Sequence, residues 1–262
     1  MVKSKVIAIC NQKGGVTKTT TTVNLGVGLA LKGNRVLLID ADPQGDLTTS
    51  LGWPDNDNIS VTLATLMERT LQEEHTSSQD GILKHAEGVD LIPANMELSG
   101  MEVALVGAMS REFTLRSYLE TVRESYDYIL VDCMPSLGMI TINVLAAADS
   151  IIVPVQAQYL PAKGMTQLMK TIAKVKKQIN PGLTIDGILL TLVDNRTNLA
   201  RATEETLRQQ YVSHLRIYDT KIPVSVKAAE TSVAGQSIFM YDPGSKVAEA
   251  YAELARTVLA DV

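Results

Sequence analysis

Short apolar runs recur along the chain, and most are followed by a polar turn and then by a stretch with helical spacing. The pattern predicts strands at 6–10, 35–40, 89–93, 126–132, 150–155, 184–193 and a short segment ending at 221–223. It predicts helices at 21–32, 98–109, 141–148, 162–179 and 198–210, and a last helix that begins at Ser245. Strands that alternate with helices in this way predict an α/β fold, a doubly wound and mostly parallel sheet with helices on both faces.

No long linker and no internal repeat interrupts this alternation, so we expect one domain over residues 1–262. The chain is 45% hydrophobic and 20% charged, which is typical of a globular protein. No apolar run is long enough to cross a membrane, and the N-terminus lacks the apolar core of a signal peptide. We therefore expect a cytoplasmic protein.

The charge is distributed unevenly along the chain. The net charge of −5 argues against a protein that is basic overall. Residues 160–230 nevertheless carry eleven Lys/Arg against six Asp/Glu, which leaves −10 on the remainder. This asymmetry predicts a basic face on an acidic body. Lysines at 163, 170, 174 and 177 share one face of the helix predicted at 162–179. That pattern is typical both of a solvated helix and of contact with nucleic acid.

A glycine-bearing segment, Lys13-Gly14-Gly15-Val16-Thr17-Lys18-Thr19-Thr20, joins the first strand to the first helix. This order of strand, loop, Lys-Thr and helix is the one that binds phosphate chains. Glycines let backbone N–H groups close around a phosphate, and the helix N-terminus adds partial positive charge. We expect Lys18 to reach the β- and γ-phosphates and the Thr19 hydroxyl to ligate Mg²⁺.

The segment departs from the usual phosphate-loop pattern at Thr17. The plain pattern G-x-x-x-x-G-K-[ST] fails at Gln12 and Thr17, and the variant K-G-G-x-G-K-[ST] also expects glycine at 17. If that position requires a positive φ, a β-branched residue costs roughly 1–3 kcal/mol. If the whole cost fell on binding, nucleotide affinity would drop about 5- to 150-fold. The sequence therefore predicts that Thr17 slows turnover or loosens nucleotide. A simpler alternative is a Lys/Thr-rich helix start after a buried strand.

Aspartates follow two other predicted strands. Asp40 and Asp42 lie in the turn 40–46, and Asp132 ends the strand 126–132. The carboxyl ends of parallel strands line one sheet edge, where open α/β sheets bind ligands. We expect Asp42 to position the attacking water, Asp40 to lie near the Mg²⁺ shell, and Asp132 to hold Mg²⁺ directly or through water. The alternative for 40–46 is a solvated Asp-Pro turn, and a strand that ends in aspartate is by itself a weak signal.

Three motifs, at 11–20, 40–45 and 132–138, together resemble those of the ParA/Soj ATPases of the deviant Walker A class, which also contains MinD. The resemblance covers nearly the whole chain. It implies a Mg²⁺-dependent ATPase in which two copies dimerise around two ATP molecules. Lys13, Lys18 and Asp42 would act in hydrolysis, and Lys13 would reach the phosphates held by the second copy. The nucleotide would contact Lys13, Gly14, Gly15, Val16, Thr17, Lys18, Thr19, Thr20, Asn195 and Pro223.

The resemblance also implies the partners of the protein. ParA-type dimers bind double-stranded DNA without sequence preference and are stimulated by a ParB-like centromere-binding protein. This implies chromosome or plasmid partition at the nucleoid. Arg196 and Lys227 match basic positions that the family uses for DNA, and both lie in the basic segment. Because only five residues precede the first predicted strand, we do not expect the N-terminal helix-turn-helix domain of larger plasmid ParA proteins.

Two other interpretations remain open. A MinD-like membrane-positioning ATPase would need a basic amphipathic C-terminal helix. The segment 245–262 has two basic side chains against three acidic ones, so we expect no membrane binding. The other alternative is a nucleotide-gated DNA-binding protein with little turnover because of Thr17. An iron–sulfur protein is disfavoured, because the only cysteines, Cys10 and Cys133, are predicted to be buried strand ends.

Overall fold

The computed structural model describes residues 4–157, 162–194, 203, 205–207 and 215–261. Within these residues eight strands form one sheet. They are β1 (Lys5–Ile9), β2 (Val36–Ala41), β3 (Leu83–Lys84), β4 (Val89–Ile92), β5 (Tyr128–Cys133), β6 (Ser150–Gln156), β7 (Thr184–Val193) and β8 (Ile217–Pro223). Their order across the sheet is β3-β4-β2-β5-β1-β6-β7-β8.

All neighbouring strands in this sheet are parallel except the pair β3–β4, which is antiparallel. Every residue of β2 and β5 is buried, and β1 is buried apart from its first residue. Near-continuous apolar strands are expected where helices cover both faces of a parallel sheet. The predicted fold class is confirmed.

Ten α-helices lie within the described residues. They are α1 (Lys18–Ala30), α2 (Asp46–Ser50), α3 (Leu63–Leu71), α4 (Glu97–Gly107), α5 (Thr114–Val122), α6 (Met139–Ala147), α7 (Ala162–Gln178), α8 (Val226–Ala234), α9 (Ile238–Tyr241) and α10 (Lys246–Ala260). One apolar cluster joins the sheet to α3 through α7 on one face. A second cluster joins it to α1, α2, α9 and α10 on the other face.

The structure agrees with most of the predicted elements and adds several short ones, among them β3, α2, α5, α8 and α9. The predicted helix 98–109 is α4. The pattern missed α8, which is nine residues long, and α5, although Leu115, Tyr118, Leu119 and Val122 are buried at helical spacing. The helix predicted at 198–210 falls mostly outside the described residues. Cys10 and Cys133 are buried free thiols, as predicted. Among the described residues, no helix has the length and apolar content needed to span a membrane.

Candidate active site

The predicted phosphate loop runs from the end of β1 to the start of α1, at the carboxyl edge of the sheet. Gly15 and Thr17 both have positive φ, at +70° and +66°. Lys18, the first residue of α1, is only 8% exposed, and its Nζ donates a hydrogen bond to the Lys13 carbonyl oxygen at 3.3 Å. The ammonium group therefore lies back over the loop. Thr17 thus has the positive φ at which a β-branched residue is strained.

A hydroxyl and a buried carboxylate meet beside the loop. Thr19 Oγ1 donates a hydrogen bond of 2.6 Å to Asp132 Oδ2. Asp132 is 1% exposed, and its Oδ1 has no hydrogen-bond partner among the described residues. Burial raises the pKa of Asp132 well above its usual range, the nearby Asp40 raises it further, and Thr19 and Lys18 act in the opposite direction. A buried carboxylate oxygen without a protein partner is able to bind a water or an ion.

The donor set at this point suits a magnesium ion that is bound mainly by phosphate and water. Within the part of the chain that the structure describes, no group of three His, Cys, Asp or Glu side chains surrounds a metal position. Mg²⁺ is commonly held by one or two protein oxygens and takes its remaining ligands from substrate phosphates and water. Thr19 and Asp132 fit this description.

Asp40 lies on the neighbouring strand, in register with Asp132. Both of its oxygens already accept hydrogen bonds: Oδ2 from Thr48 N at 2.8 Å and from Thr48 Oγ1 at 2.7 Å, and Oδ1 from Asp42 N at 3.2 Å. Burial raises the pKa of Asp40 to about 7, although these hydrogen bonds lower it. Asp40 thus connects β2 to the turn that carries Asp42 and to the start of α2. Sequence reasoning missed the partner, Thr48.

Asp42 lies half-buried in the turn after β2. Its Oδ1 accepts a hydrogen bond from Gln44 N at 3.0 Å, which fixes the turn. Burial raises the pKa of Asp42, and the positive charge of Lys18 partly opposes that rise. The structure therefore brings Lys18, Thr19, Asp42 and Asp132 together at one edge, as predicted from the strand ends.

Lys13 lies at the exposed rim of the loop. Its Nζ donates a hydrogen bond of 3.4 Å to Gln156 Oε1 at the end of β6. The buried Asn11 supports this position, since its Nδ2 donates to the Pro154 carbonyl at 2.6 Å and its Oδ1 accepts from Lys13 N at 3.0 Å. The loop entry is thus anchored to β6, while the Lys13 side chain stays accessible to a second molecule.

The loop after Asp132 is held by a carboxylate from another helix. Glu102 of α4 accepts hydrogen bonds from Met139 N at 2.5 Å and from Ile140 N at 3.0 Å. These N–H groups belong to the first turn of α6, where a negative charge is favourable. No local sequence pattern indicated this contact, because it depends on how α4 packs beside α6.

Four predicted site residues are left to place: Asn195, Arg196, Pro223 and Lys227. Asn195 and Arg196 fall outside the described residues. Pro223 ends β8, which β6 and β7 separate from β1. Lys227, in the first turn of α8, is exposed and its Nζ lies 3.0 Å from the Asp242 carboxylate. Any contact of Lys227 with DNA would therefore compete with an ion pair inside the protein.

A cleft adjoins this edge of the sheet. This cleft, of about 700 Å³, lies beside the loop and is lined by Thr19, Thr20, residues of α2 and the end of α8 at 232–235. Helix α7 has no acidic residue in its sequence, and its lysines at 170, 174, 176 and 177 are exposed. Three of the four lysines predicted to share a basic face, Lys170, Lys174 and Lys177, are therefore exposed, and the side chain of Lys163 lies outside the described part of the structure.

Comparison with known proteins places the chain among close relatives. A family profile described as an AAA domain matches residues 4–185. The sporulation initiation inhibitor protein Soj of Bacillus subtilis is 44% identical over 261 residues, which cover 98% of this chain and 99% of that protein. The chromosome partitioning protein ParA of Caulobacter vibrioides is 40% identical over 257 residues, which cover 97% of this chain and 94% of that protein.

A solved structure from Mycobacterium smegmatis has the same fold. It is named cobyrinic acid a,c-diamide synthase, contains a bound ATP analogue and magnesium, and is 36% identical to this chain with a TM-score of 0.85. The match covers 98% of this chain and 94% of that one. The similarity to all three proteins thus extends over both faces of the sheet and over the phosphate loop.

Proposed function

The chain belongs to the family of ParA and Soj partitioning ATPases, and we propose that it hydrolyses ATP to ADP and phosphate with Mg²⁺ in order to partition DNA. In this proposal ATP brings two copies together, and the dimer binds double-stranded DNA without sequence preference at the nucleoid. A ParB-like partner then stimulates hydrolysis, which releases the dimer. The observation that carries the ATPase proposal is the contact between Thr19 and the partly unpartnered Asp132, beside Lys18.

Thr19 and Asp132 are the residues that would hold Mg²⁺, with Asp40 supporting them by fixing the turn after β2. When bound, Mg²⁺ would neutralise charge on the phosphates and orient them. Lys18 would add a buried positive charge at the β- and γ-phosphates, where its effect is larger than in water. The backbone N–H groups of the loop would bind the remaining phosphate oxygens.

Asp42 would position the attacking water. It is half-buried and close enough to Lys18 for that cation to affect its pKa. Burial raises the pKa of this carboxylate, which strengthens its tendency to accept a proton or a hydrogen bond from water. The hydrogen bond from Gln44 N leaves the carboxylate in a fixed orientation.

Lys13 would supply the link between ATP and dimerisation. Its side chain lies at the exposed rim of the loop, so it is able to reach phosphates in a second copy. A second cation near the phosphates stabilises the negative charge that develops during transfer only when the dimer has formed. Nucleotide state and oligomeric state are thereby coupled.

Retention of non-specific duplex DNA at low salt tests the proposal. The protein is applied without nucleotide, with ADP, and with ATP plus Mg²⁺, and we expect retention only in the last case. Retention should fall steeply as salt is raised, because the contacts are electrostatic. Lys13→Ala should bind ATP but lose ATP-dependent retention. Lys32→Ala, at an exposed lysine at the far end of α1, is the matched control and should behave as wild type. Equal retention in all nucleotide states would refute the proposal.

A MinD-like function at a membrane is less well supported. Val247, Tyr251, Leu254 and Val258 form the apolar face of α10, and each is at most 2% exposed. This face packs in the apolar core with α1, so it is not available to lie on a bilayer as an amphipathic anchor does. Sedimentation with anionic vesicles in ATP and Mg²⁺ would detect membrane binding, and we expect none.

Two further alternatives remain to be separated from the main proposal. The synthase name of the Mycobacterium smegmatis structures points to a different activity, but that chain is 36% identical, against 44% and 40% for the partition proteins. A nucleotide-gated DNA-binding protein with little turnover would retain DNA with ATP yet release almost no phosphate. Phosphate release measured with DNA and a ParB-like partner present distinguishes it from the ATPase.

A further inference from the structure

The carbonyl oxygen of Val16, inside the phosphate loop, accepts two hydroxyl hydrogen bonds. One comes from Thr17 Oγ1 at 2.6 Å and the other from Thr191 Oγ1 at 3.1 Å. Thr191 is fully buried and Val16 is 1% exposed, so bulk water does not compete for the bond from Thr191, whereas the bond from Thr17 is half-buried. Thr191 lies on β7, which β6 separates from β1. The second bond therefore ties the loop to a strand that is not adjacent to the one from which the loop emerges.

These two bonds set the orientation of the peptide between Val16 and Thr17. No peptide bond in the described residues is cis, and in a planar trans peptide the N–H points away from the C=O. Because the Val16 carbonyl is turned toward Thr191, the Thr17 N–H is turned to the opposite side. In a phosphate loop, that side is where backbone donors converge on the anion. The two hydroxyls that hold the Val16 carbonyl therefore also orient the Thr17 N–H.

Thr17 needs such an anchor more than glycine would. Its φ of +66° is strained for a β-branched residue, and rotation of the preceding peptide would relieve the strain. Glycine adopts the same φ without cost. Two hydroxyl–carbonyl hydrogen bonds are comparable in size to that strain, so together they are able to hold the peptide in place.

We infer that Thr191 is a positioning residue for nucleotide binding, and that its hydroxyl and the Thr17 hydroxyl form a latch on the Val16 carbonyl. The latch keeps the 16–17 peptide in the orientation that binds phosphate. Thr17 therefore acts in two opposite ways: its branched Cβ strains the loop, and its hydroxyl restrains it. This inference rests on the nucleotide site proposed above and assigns it one further residue.

Paired substitutions separate the hydroxyl from the rest of each side chain. Thr17→Val keeps the branched Cβ and removes the hydroxyl, whereas Thr17→Ser keeps the hydroxyl and removes the branch. Thr191→Val and Thr191→Ser form the same pair on β7. The control is Thr231→Val in α8, because Thr231 is 5% exposed and its Oγ1 donates a hydrogen bond of 2.9 Å to the Ala228 carbonyl. It loses an equivalent bond that involves neither the loop nor β7.

Each variant is measured in two ways. Calorimetry gives its Kd for a non-hydrolysable ATP analogue with Mg²⁺, and denaturant unfolding without nucleotide gives its stability. We expect each valine variant at 17 and 191 to weaken binding about 3- to 10-fold, the effect of one lost hydrogen bond. Each serine variant should bind within about twofold of wild type or more tightly. Thr231→Val should lose stability as Thr191→Val does but keep the wild-type Kd.

Two results would overturn the latch, and a third would refute only the proposed partition role. Equal Kd values within the valine and serine pairs would overturn the latch, and so would a loss of affinity in Thr231→Val as large as in Thr191→Val. If Thr191→Val does not fold, the Thr17 pair decides, because that side chain is only half-buried. A wild-type protein that binds the analogue but never retains DNA would refute the partition role and leave the latch intact.

Discussion

Replacing Asp132 with asparagine should stabilise the nucleotide-free protein and remove its response to Mg²⁺. Asp132 is 1% exposed, one of its two carboxylate oxygens has no partner among the described residues, and a second buried carboxylate, Asp40, stands in register on the next strand. Without a cation, the folded protein therefore retains an unfavourable charge. Asparagine removes that charge, has nearly the same shape, and still accepts the hydrogen bond from Thr19.

The size of the effect follows from the unpartnered oxygen. The variant replaces an unpartnered charged oxygen by an unpartnered neutral amide. Since a buried group without a partner costs about 1–3 kcal/mol when neutral and more when charged, the free energy of unfolding should rise by about 1 kcal/mol or more. For a chain of this size, each kcal/mol raises Tm by roughly 2–4 °C. Because burial raises the pKa of Asp132, its carboxyl keeps its proton to a higher pH in the folded than in the unfolded protein. The gain from asparagine should therefore grow as pH rises.

The assay combines denaturant unfolding in EDTA with ATP-analogue binding in Mg²⁺ and in EDTA. Wild type should bind far more tightly in Mg²⁺, whereas Asp132→Asn should bind with nearly the same Kd in both. Asp127→Asn is the control, since Asp127 lies just before the same strand but is paired with Arg35 at 2.7 Å, and that hydrogen bond lowers its pKa. It should lose at most about 1 kcal/mol and keep the Mg²⁺ response.

Two results would refute the reasoning. One is an Asp132→Asn protein that is less stable than wild type without nucleotide, which would mean that the buried carboxylate is already well satisfied. The other is a variant whose affinity still rises with Mg²⁺ as much as that of wild type. Either would separate Asp132 from the metal site that its contact with Thr19 suggests.

Three further predictions concern the loop and its supports. Thr17→Gly should bind the Mg²⁺–ATP analogue at least about 5-fold more tightly than Thr17→Val, because both lack the hydroxyl and only glycine releases the positive-φ strain; equal affinities of the two variants would contradict this. Glu102→Ala should lower the free energy of unfolding in urea by about 1–3 kcal/mol, because two N–H groups at the start of α6 lose their acceptor, and Glu102→Gln should be intermediate. A loss below about 0.5 kcal/mol would argue against a stabilising role of Glu102 at this helix end. Burial raises the pKa of Asp40 to about 7, so its protonated form favours the folded protein at low pH and this stability is lost as pH rises through about 7. Asp40→Asn should therefore remove up to about 4 kcal/mol of the decrease in the free energy of unfolding between low and high pH, measured without nucleotide. If the free energy of unfolding changes with pH in the same way in variant and wild type, the effect is excluded.

The sequence alone was sufficient to predict the sheet and to place the loop and the polar residues of the candidate site at one edge. Strands buried on both faces produce apolar runs, and the residues that follow them lie at one edge whatever the details of packing. Lys18, Thr19, Asp42 and Asp132 were found in this way. The deviation at Thr17 was also visible as a departure from a local pattern, and its positive φ is a local property of the chain.

Only the tertiary structure decided which groups support those residues. The hydrogen bond between Thr191 and Val16 joins residues that are 175 positions apart in the sequence, and the one between Glu102 and Met139 joins residues 37 apart. Asp149 likewise accepts a hydrogen bond from Val6 N, 143 positions away. The structure also shows that both oxygens of Asp40 accept hydrogen bonds, from Thr48 and from Asp42 N, and that Lys227 pairs with Asp242. Hydrophobic periodicity and turn residues indicate the local backbone conformation and the buried face of each helix or strand. Hydrogen bonds between distant segments depend on packing distances and side-chain directions, which no local pattern records.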